Sequence, residues 1–364
     1  MKDTFGQSVS LTLTGESHGA GIVAVLSGLA PGIAVDEEFI ADQLTKRRPA
    51  GAISTSRQEG DKFEIISGVF GGFTTGTPIA VLIRNENTKS KDYSEIAVTA
   101  RPGHADYTAQ CKYHGFQDYR GGGHFSGRIT AGIVAAGAIC TSALAKKGIK
   151  IGTHIAKCAG ISDRNFCDIE SDIDSLNEKL FAVLDESAGE KMEEAILAAK
   201  KEQDSVGGIL ETAIIGVPAG IGEPYFDSIE SQLAHMLFSI PAIKGVEFGA
   251  GFAIADMHGS EANDAFRIGE DGKVTTKTNS NGGINGGISN GMPITFRCAI
   301  KPTPSISLEQ ETIDFSKGEN KNFVITGRHD PAIIHRARVV VDSAAAIVLC
   351  DILAQRFGTD WIGG

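Results

Sequence analysis

The stretch Thr130 to Lys147 constrains the fold more than any other. It is Ala-rich and almost uncharged, so it reads as a helix with no polar face to offer water, one that must be covered on all sides. Covering it takes layers of structure. Strand patterns precede it at Ser8 to Thr14, Ile22 to Leu26, Phe63 to Ile66 and Ile79 to Ile83, each bounded by glycine or proline. Asp36 is an N-cap for a helix over Glu37 to Arg47. Further strands are expected at Ile149 to Ala156, Ile209 to Val217, Val246 to Phe252, Ile294 to Ile300 and Phe323 to Thr326. Further helices are expected at Ser228 to Ser239 and Ala344 to Phe357. There is no strict βαβ rhythm and no Pro- or Ser-rich linker. The expected fold is therefore an α/β sandwich, helices covering sheet faces, in a single domain over 1–364 rather than two hinged ones.

The net charge of −11 is local. Asp168 to Asp204 carries 12 acidic and 4 basic residues, a net −8, which leaves −3 for the rest. That segment reads as solvated helices, with Leu176, Leu180 and Leu184 on one face. The six cysteines include no C-x-x-C pair, so neither a zinc site nor a disulfide framework is expected. Met1 to Ser10 is polar, and no run approaches 18 apolar residues, so the chain is read as soluble and cytoplasmic. A pI near 5.3 and a single Trp argue against a nucleic-acid binder.

The 45 glycines exceed the usual share of about 7%, and the excess sits in loops that also carry charge. Gly15-Glu16-Ser17-His18-Gly19 sets a hydroxyl and an imidazole between glycines. A dinucleotide-type pattern at Gly19, Gly21 and Ala24 is rejected, because Ile22 to Leu26 is β-prone where that fingerprint needs a helix. Lys46-Arg47-Arg48-Pro49 closes the first helix, where cations complement the dipole and two guanidiniums can also seize phosphate or carboxylate. Arg101-Pro102-Gly103-His104-Ala105-Asp106 projects three chemical groups from a fixed backbone. Arg120-Gly121-Gly122-Gly123-His124-Phe125-Ser126-Gly127-Arg128 runs into the Ala-rich helix, an anion-binding arrangement that lacks the G-K-[ST] of a P-loop. Asn281 to Ile288 holds four glycines in six positions. Lys301-Pro302-Thr303-Pro304-Ser305 and Gly327-Arg328-His329-Asp330-Pro331 each follow an apolar strand. A phosphotransferase would need clustered carboxylates for magnesium, whereas Asp106 and Asp330 are isolated in sequence.

Taken in order, G-E-S-H-G, R-R-P, R-P-G-H-A-D, Y-R-G-G-G, V-P-A-G-I-G-E-P, K-G-V-E-F-G-A-G-F, N-G-G-I-N-G-G-I, K-P-T-P-S and G-R-H-D-P resemble the chorismate synthase family from about Phe5 to about Asp351. The resemblance implies a β-α-β sandwich with large, mostly antiparallel sheets, and a homotetramer. It implies a lyase that eliminates phosphate from 5-enolpyruvylshikimate 3-phosphate to give chorismate, using reduced FMN without net redox change. NADPH is the reductant in those members that reduce their own flavin. Catalytic roles fall on His18, His104 and Asp330. Substrate contacts fall on Ser17, Arg47, Arg48, Arg101, Arg128 and Arg328. Flavin contacts fall on His124, Phe125, Ser126, Pro241, Ala242, Gly286, Lys301, Pro302, Thr303, Pro304, Ser305 and Arg328.

Three departures stand out. Many relatives read G-G-G-R-S-S-A-R-E where this chain has Gly121 to Ile129, so an imidazole or an aromatic face is expected at the flavin. A second early arginine falls near Ile53, with Arg57 the nearest substitute. Pro241 stands where many members have Asn.

Overall fold

The computed structural model describes residues 3–49, 51–55, 60–86, 96–270, 272–325 and 329–363. A first antiparallel sheet contains β1 (Thr4–Phe5), β2 (Ser10–Gly15), β3 (Gly21–Ser27), β4 (Phe63–Ser67) and β5 (Ile79–Arg84), in the order β1-β2-β3-β5-β4. A second contains β6 (Lys150–Cys158), β7 (Ile161–Ser162), β8 (Gly208–Ile215), β9 (Ile243–Phe248) and β10 (Ile294–Ile300), in the order β9-β10-β8-β6-β7. Strand β3 shows why one face is interior: Ile22, Ala24 and Leu26 are buried while their neighbours are half-exposed, the period-2 pattern of a sheet with one covered face.

The cover is helical. The chain forms α1 (Glu37–Arg47), α2 (Asp106–Tyr113), α3 (Thr130–Ala145), α4 (Ile169–Asn177), α5 (Glu186–Lys201), α6 (Ile229–Ser239) and α7 (Ile334–Phe357). The α3 backbone lies directly on the first sheet: a Cβ at Gly132 would sit 2.8 Å from Leu13 Cδ2 and 3.3 Å from Ala24 Cβ. On its other side it meets α7, where a Cβ at Gly137 would fall 2.6 Å from Ser343 Cα. Small residues on α3 thus let two helix backbones approach more closely than larger side chains allow. Helix α7 in turn reaches the second sheet, where Thr153 of β6 donates to Asp342 Oδ1 at 2.6 Å. Sheet, helices and sheet share one continuous apolar core. Gly127–Ala145 is long and apolar enough to cross a membrane, but 83% of that window is buried inside the protein.

Four expectations are corrected. Helix α7 begins at Ile334, ten residues before the expected start, because Arg338 and Asp342, which look like loop residues in sequence, pair with each other at 3.0 Å in the core. Arg338 also donates to the Leu176 and Lys179 carbonyls. The strand expected to end at Phe252 ends at Phe248 and gives way to a 3-10 turn over Gly251–Asp256. The strand expected at Phe323 to Thr326 is Glu319–Phe323, hairpinned to Gln310–Asp314; Thr326 lies outside the described residues. Leu176, Leu180 and Leu184 do not share a helix face, since α4 stops at Asn177 and Leu180 is exposed.

Candidate active site

A cavity of about 960 Å³ opens where the loops at the ends of both sheets converge. Its floor is made by the loop after β2 and the glycine run before α3. Ser17 N–H donates to Gly123 O at 3.0 Å, and the His18 ring packs beneath Gly121. A Cβ at Gly121 would stand 2.2 Å from His18 Cε1 and 2.9 Å from Ser17 Oγ. Gly121, Gly122 and Gly123 all take positive φ (57°, 86° and 52°), a conformation that favours glycine. Ser17 and Gly121 line the cavity, while His18 sits just behind them.

The charged wall follows a single rule: its arginines are held by carboxylates. Asp61, whose side chain is fully buried, accepts from Arg47 Nη2 at 2.5 Å and from Arg128 Nη1. Arg128 is further fixed by Asn85 Oδ1 at 3.0 Å. Burial pushes the Asp61 carboxyl up, but Arg47 and Arg128 outweigh it and hold it below its ordinary value. Arg47 is lowered, chiefly by desolvation. Arg101 grips Asp106 with two guanidinium bonds of 2.8 Å each. Arg336 Nη1 meets Asp330 Oδ2 at 2.6 Å. Two arginines on one carboxylate, with Lys244 and Lys301 nearby on the lining, leave the cavity wall positive in a chain of net charge −11.

The second half of the chain closes the far side. Loop 101–106 packs on the segment after β10: Lys301 Nζ donates to Gly103 O at 2.6 Å, and His104 Nε2 lies 2.6 Å from Ser305 Oγ. Desolvation, then Arg101, lowers the His104 pKa to about 4, so its imidazole is neutral near pH 7. Lys301 is likewise lowered, first by burial.

The structure therefore brings together Ser17, Arg47, Arg101, His104, His124, Phe125, Ser126, Arg128, Pro241, Ala242, Lys301, Thr303, Pro304, Ser305 and Asp330. It sets four expected residues off the lining: His18, behind Ser17 and Gly121, and three others. Arg48 turns back onto Thr45 Oγ1 and the Gly60 carbonyl. Gly286 is exposed at the tip of a hairpin over Ile284–Ser289. Pro302 is exposed beside its lining neighbours. Arg328 and Arg57 lie outside the described residues. His124 points its Nδ1 at Gly15 O, 2.8 Å away, and Phe125 meets Tyr113 edge-on at 6.1 Å. Ile53, at the slot of the second early arginine, is buried in the apolar core. Asp61 and Arg336 were not anticipated from sequence.

The comparisons decide what this cavity belongs to. A family model described as chorismate synthase matches residues 9–354. The chorismate synthase of Pyrococcus abyssi is 48% identical over 351 residues, covering 96% of this chain and 97% of the relative. That of Lachnoclostridium phytofermentans is 49% identical over 352 residues, covering 96% and 94%. The chain belongs to the chorismate synthase family. A crystal structure of chorismate synthase superposes with a TM-score of 0.76 at 30% identity, covering 97% of this chain and 94% of that one. The sandwich described above is thus the chorismate synthase fold. Its activity is that of a carbon–oxygen lyase in the shikimate pathway, which eliminates phosphate from 5-enolpyruvylshikimate 3-phosphate to give chorismate for aromatic amino-acid biosynthesis.

Proposed function

We propose that the cavity binds 5-enolpyruvylshikimate 3-phosphate against Ser17, Arg47, Arg101 and Arg128, with reduced FMN on the opposite wall. The observation that carries this reading is the pair Arg47 and Arg128 held side by side by one buried Asp61. Such a wall has positive charge to spare for a substrate with one phosphate and two carboxylates.

The residues present also fit a flavin. Thr303 Oγ1 is buried without a hydrogen-bond partner among the described residues. Ala242, next to Pro241 on the lining, is held at φ 77° with its carbonyl accepting from the Lys301 N–H at 3.0 Å, and Lys301 offers an ammonium. These groups, with Phe125, Ser126, Pro304 and Ser305, would hold the cofactor. When bound, reduced FMN would supply electron density for cleavage of the C–O bond without net redox change.

The protein's own part is binding, exclusion of water and placement of protons. The C3–O bond breaks with its electron pair leaving on phosphate, the C6 hydrogen is lost from the opposite face, and the ring's one double bond becomes a conjugated pair. His18, behind Gly121, donates to the departing phosphate. His104 moves a proton at Nε2 toward the cofactor side, beside Ser305. Asp330 takes part in removing the C6 hydrogen. His124 and Phe125, where relatives carry a different loop, present an imidazole and a ring edge to the cofactor. NADPH is the reductant if the purified chain oxidises it with FMN present and no other protein.

The chain works in the cytoplasm on small molecules, as a single domain that assembles into a homotetramer. Tyr225, Phe226 and Phe252 stand 85%, 92% and 85% exposed, side chains that assembly would cover. Sedimentation tests the assembly. The test of function is anaerobic mixing with reduced FMN and 5-enolpyruvylshikimate 3-phosphate while phosphate and diene absorbance are followed. Absence of both products with reduced flavin present would sink the reading.

A further inference from the structure

One cavity-wall carboxylate is held from two sides by parts of the chain far apart in sequence. Asp330 Oδ2 accepts from Arg336 Nη1 at 2.6 Å, and Asp330 Oδ1 accepts from the Thr55 backbone N–H at 2.9 Å. Each oxygen therefore has a donor, and the carboxylate plane is set by both. Arg336 belongs to the first turn of α7, and its Nε donates to the Arg47 carbonyl at 2.9 Å. That carbonyl is in the last turn of α1, where helix C=O groups lack partners within the helix. A single guanidinium thus fixes Asp330 relative to the backbone that carries Arg47.

The opposite donor is anchored too. The residue before Thr55, Ser54, is buried with its Oγ 2.8 Å from His335 Nε2 in the loop 51–55. His335 is buried next to Arg336 and tilted against Phe181, ring centroids 6.1 Å apart. Burial keeps the imidazole uncharged at neutral pH, so it serves the Ser54 hydroxyl as a neutral hydrogen-bond partner. Lys200 Nζ ties the same loop at the Ala52 carbonyl, 2.6 Å away. The side chains of Asp330 and Arg336 are 15% and 18% exposed, so the pair is largely shielded from solvent screening.

We propose that Arg336 is a positioning residue for the elimination: with the Thr55 amide, seated by the Ser54–His335 hydrogen bond, it holds the Asp330 carboxylate in register with Arg47. The inference rests on the reading above that Asp330 helps remove the C6 hydrogen. Arg336 acts through Asp330 and not on the substrate. Misplacing a reacting group by about 1 Å costs on the order of 10²-fold in rate. Loss of one of two carboxylate donors should approach that figure in kcat, with little change in KM.

The test compares wild type with Asp330→Asn, Arg336→Gln, Arg336→Lys and the double variant Asp330→Asn/Arg336→Gln. Turnover is measured anaerobically with reduced FMN, using substrate carrying hydrogen or deuterium at C6, and binding of oxidised FMN is measured separately by fluorescence. Arg336→Gln should lower kcat on the order of 10²-fold, leave KM and FMN binding near wild type, and enlarge the C6 isotope effect. Arg336→Lys, which keeps the charge but cannot reach both Asp330 and the Arg47 carbonyl, should fall between the two. It keeps the proposal testable if the Gln variant does not fold. The double variant should be no slower than Asp330→Asn alone. Wild-type kcat in both Arg336 variants, a loss that appears in KM, or multiplicative losses in the double variant would each overturn the proposal. Wild-type turnover in Asp330→Asn would instead overturn the role assigned to Asp330, whatever the Arg336 variants do.

Discussion

His154 and His104 are both largely removed from water, and their neighbours have made them opposites. On β6, His154 sits between two carboxylates, Nδ1 2.7 Å from Asp163 and Nε2 3.0 Å from Glu211, with Phe166 edge-on at 4.9 Å. Desolvation alone would lower its pKa, but Asp163 and Glu211 outweigh it, and the net shift is upward. Asp163 also accepts from the Leu184 and Asp185 amides. This ring is a structural pin that joins the second sheet to the segment leading into α5. At the cavity, desolvation and Arg101 push His104 the other way, to about 4. A histidine whose charge is already paid for by carboxylates has nothing left to give a substrate, whereas one kept neutral among arginines can take a proton when an anion enters.

The sharpest way to break that contrast is to remove each ring. His104→Ala should slow turnover by roughly 10²- to 10⁴-fold, the range for loss of a general acid–base group, with thermal unfolding little changed. Anaerobic stopped-flow in parallel with calorimetry checks it; wild-type turnover would reject the role. His154→Gln should do the reverse, leaving turnover per folded molecule intact while costing roughly 3–5 kcal/mol of stability, as expected when a buried charge pair loses one partner. Because the folded-state pKa of His154 is raised, its contribution is fully present below the unfolded value of about 6.5 and is lost as pH rises through the folded pKa. Urea unfolding of wild type and variant should therefore show a gap that is widest in mild acid and narrows with rising pH. A gap that widened with pH would contradict the assignment.

Gly121 sharpens the comparison from the cavity side. A side chain there would drive into the His18 ring, so Gly121→Ala should slow turnover on the order of 10²-fold by displacing that ring. The effect on stability should be smaller, roughly 1 kcal/mol for an alanine at positive φ. Circular dichroism melts beside phosphate-release rates separate the two.

How legible these features were follows from the range of the forces involved. The ends of α1 could be read because its signals are local: Asp36 Oδ1 accepts from Phe39 N–H, and Lys46 and Arg47 occupy the last turn. Helix α3 could be read because an almost uncharged helix must be kept from water on every side, and here the protein core covers 83% of its apolar window. The first ten residues of α7 could not, since Arg338 and Asp342 look like surface charges until Leu176, Lys179 and Thr153 are brought to them from far along the chain. Asp61 is the same case at the cavity. In the run E-G-D-K it resembles a solvated turn, and only the arrival of Arg47 and Arg128 buries it. The motifs contained the cavity's principal charges and one residue that holds them, Asp106, but not Asp61 or Arg336.

Arg47 and Arg48 show the limit most closely, since adjacent arginines are equivalent in sequence and divergent in space. Arg47 is the last residue of α1 and points inward to Asp61, 4% exposed. Arg48 is the C-cap, with extended backbone at ψ 155°, which turns its side chain back to the Thr45 hydroxyl and the Gly60 carbonyl. A guanidinium so placed neither lines the cavity nor balances a buried charge. Arg48→Ala should therefore leave KM for 5-enolpyruvylshikimate 3-phosphate within about twofold and stability within about 0.5 kcal/mol, the usual span for a surface substitution. Arg47→Ala should strip Asp61 of one partner and raise KM steeply. Equal effects of the two substitutions on KM would mean that both arginines reach the substrate, and that the turn at Arg48 opens when it binds.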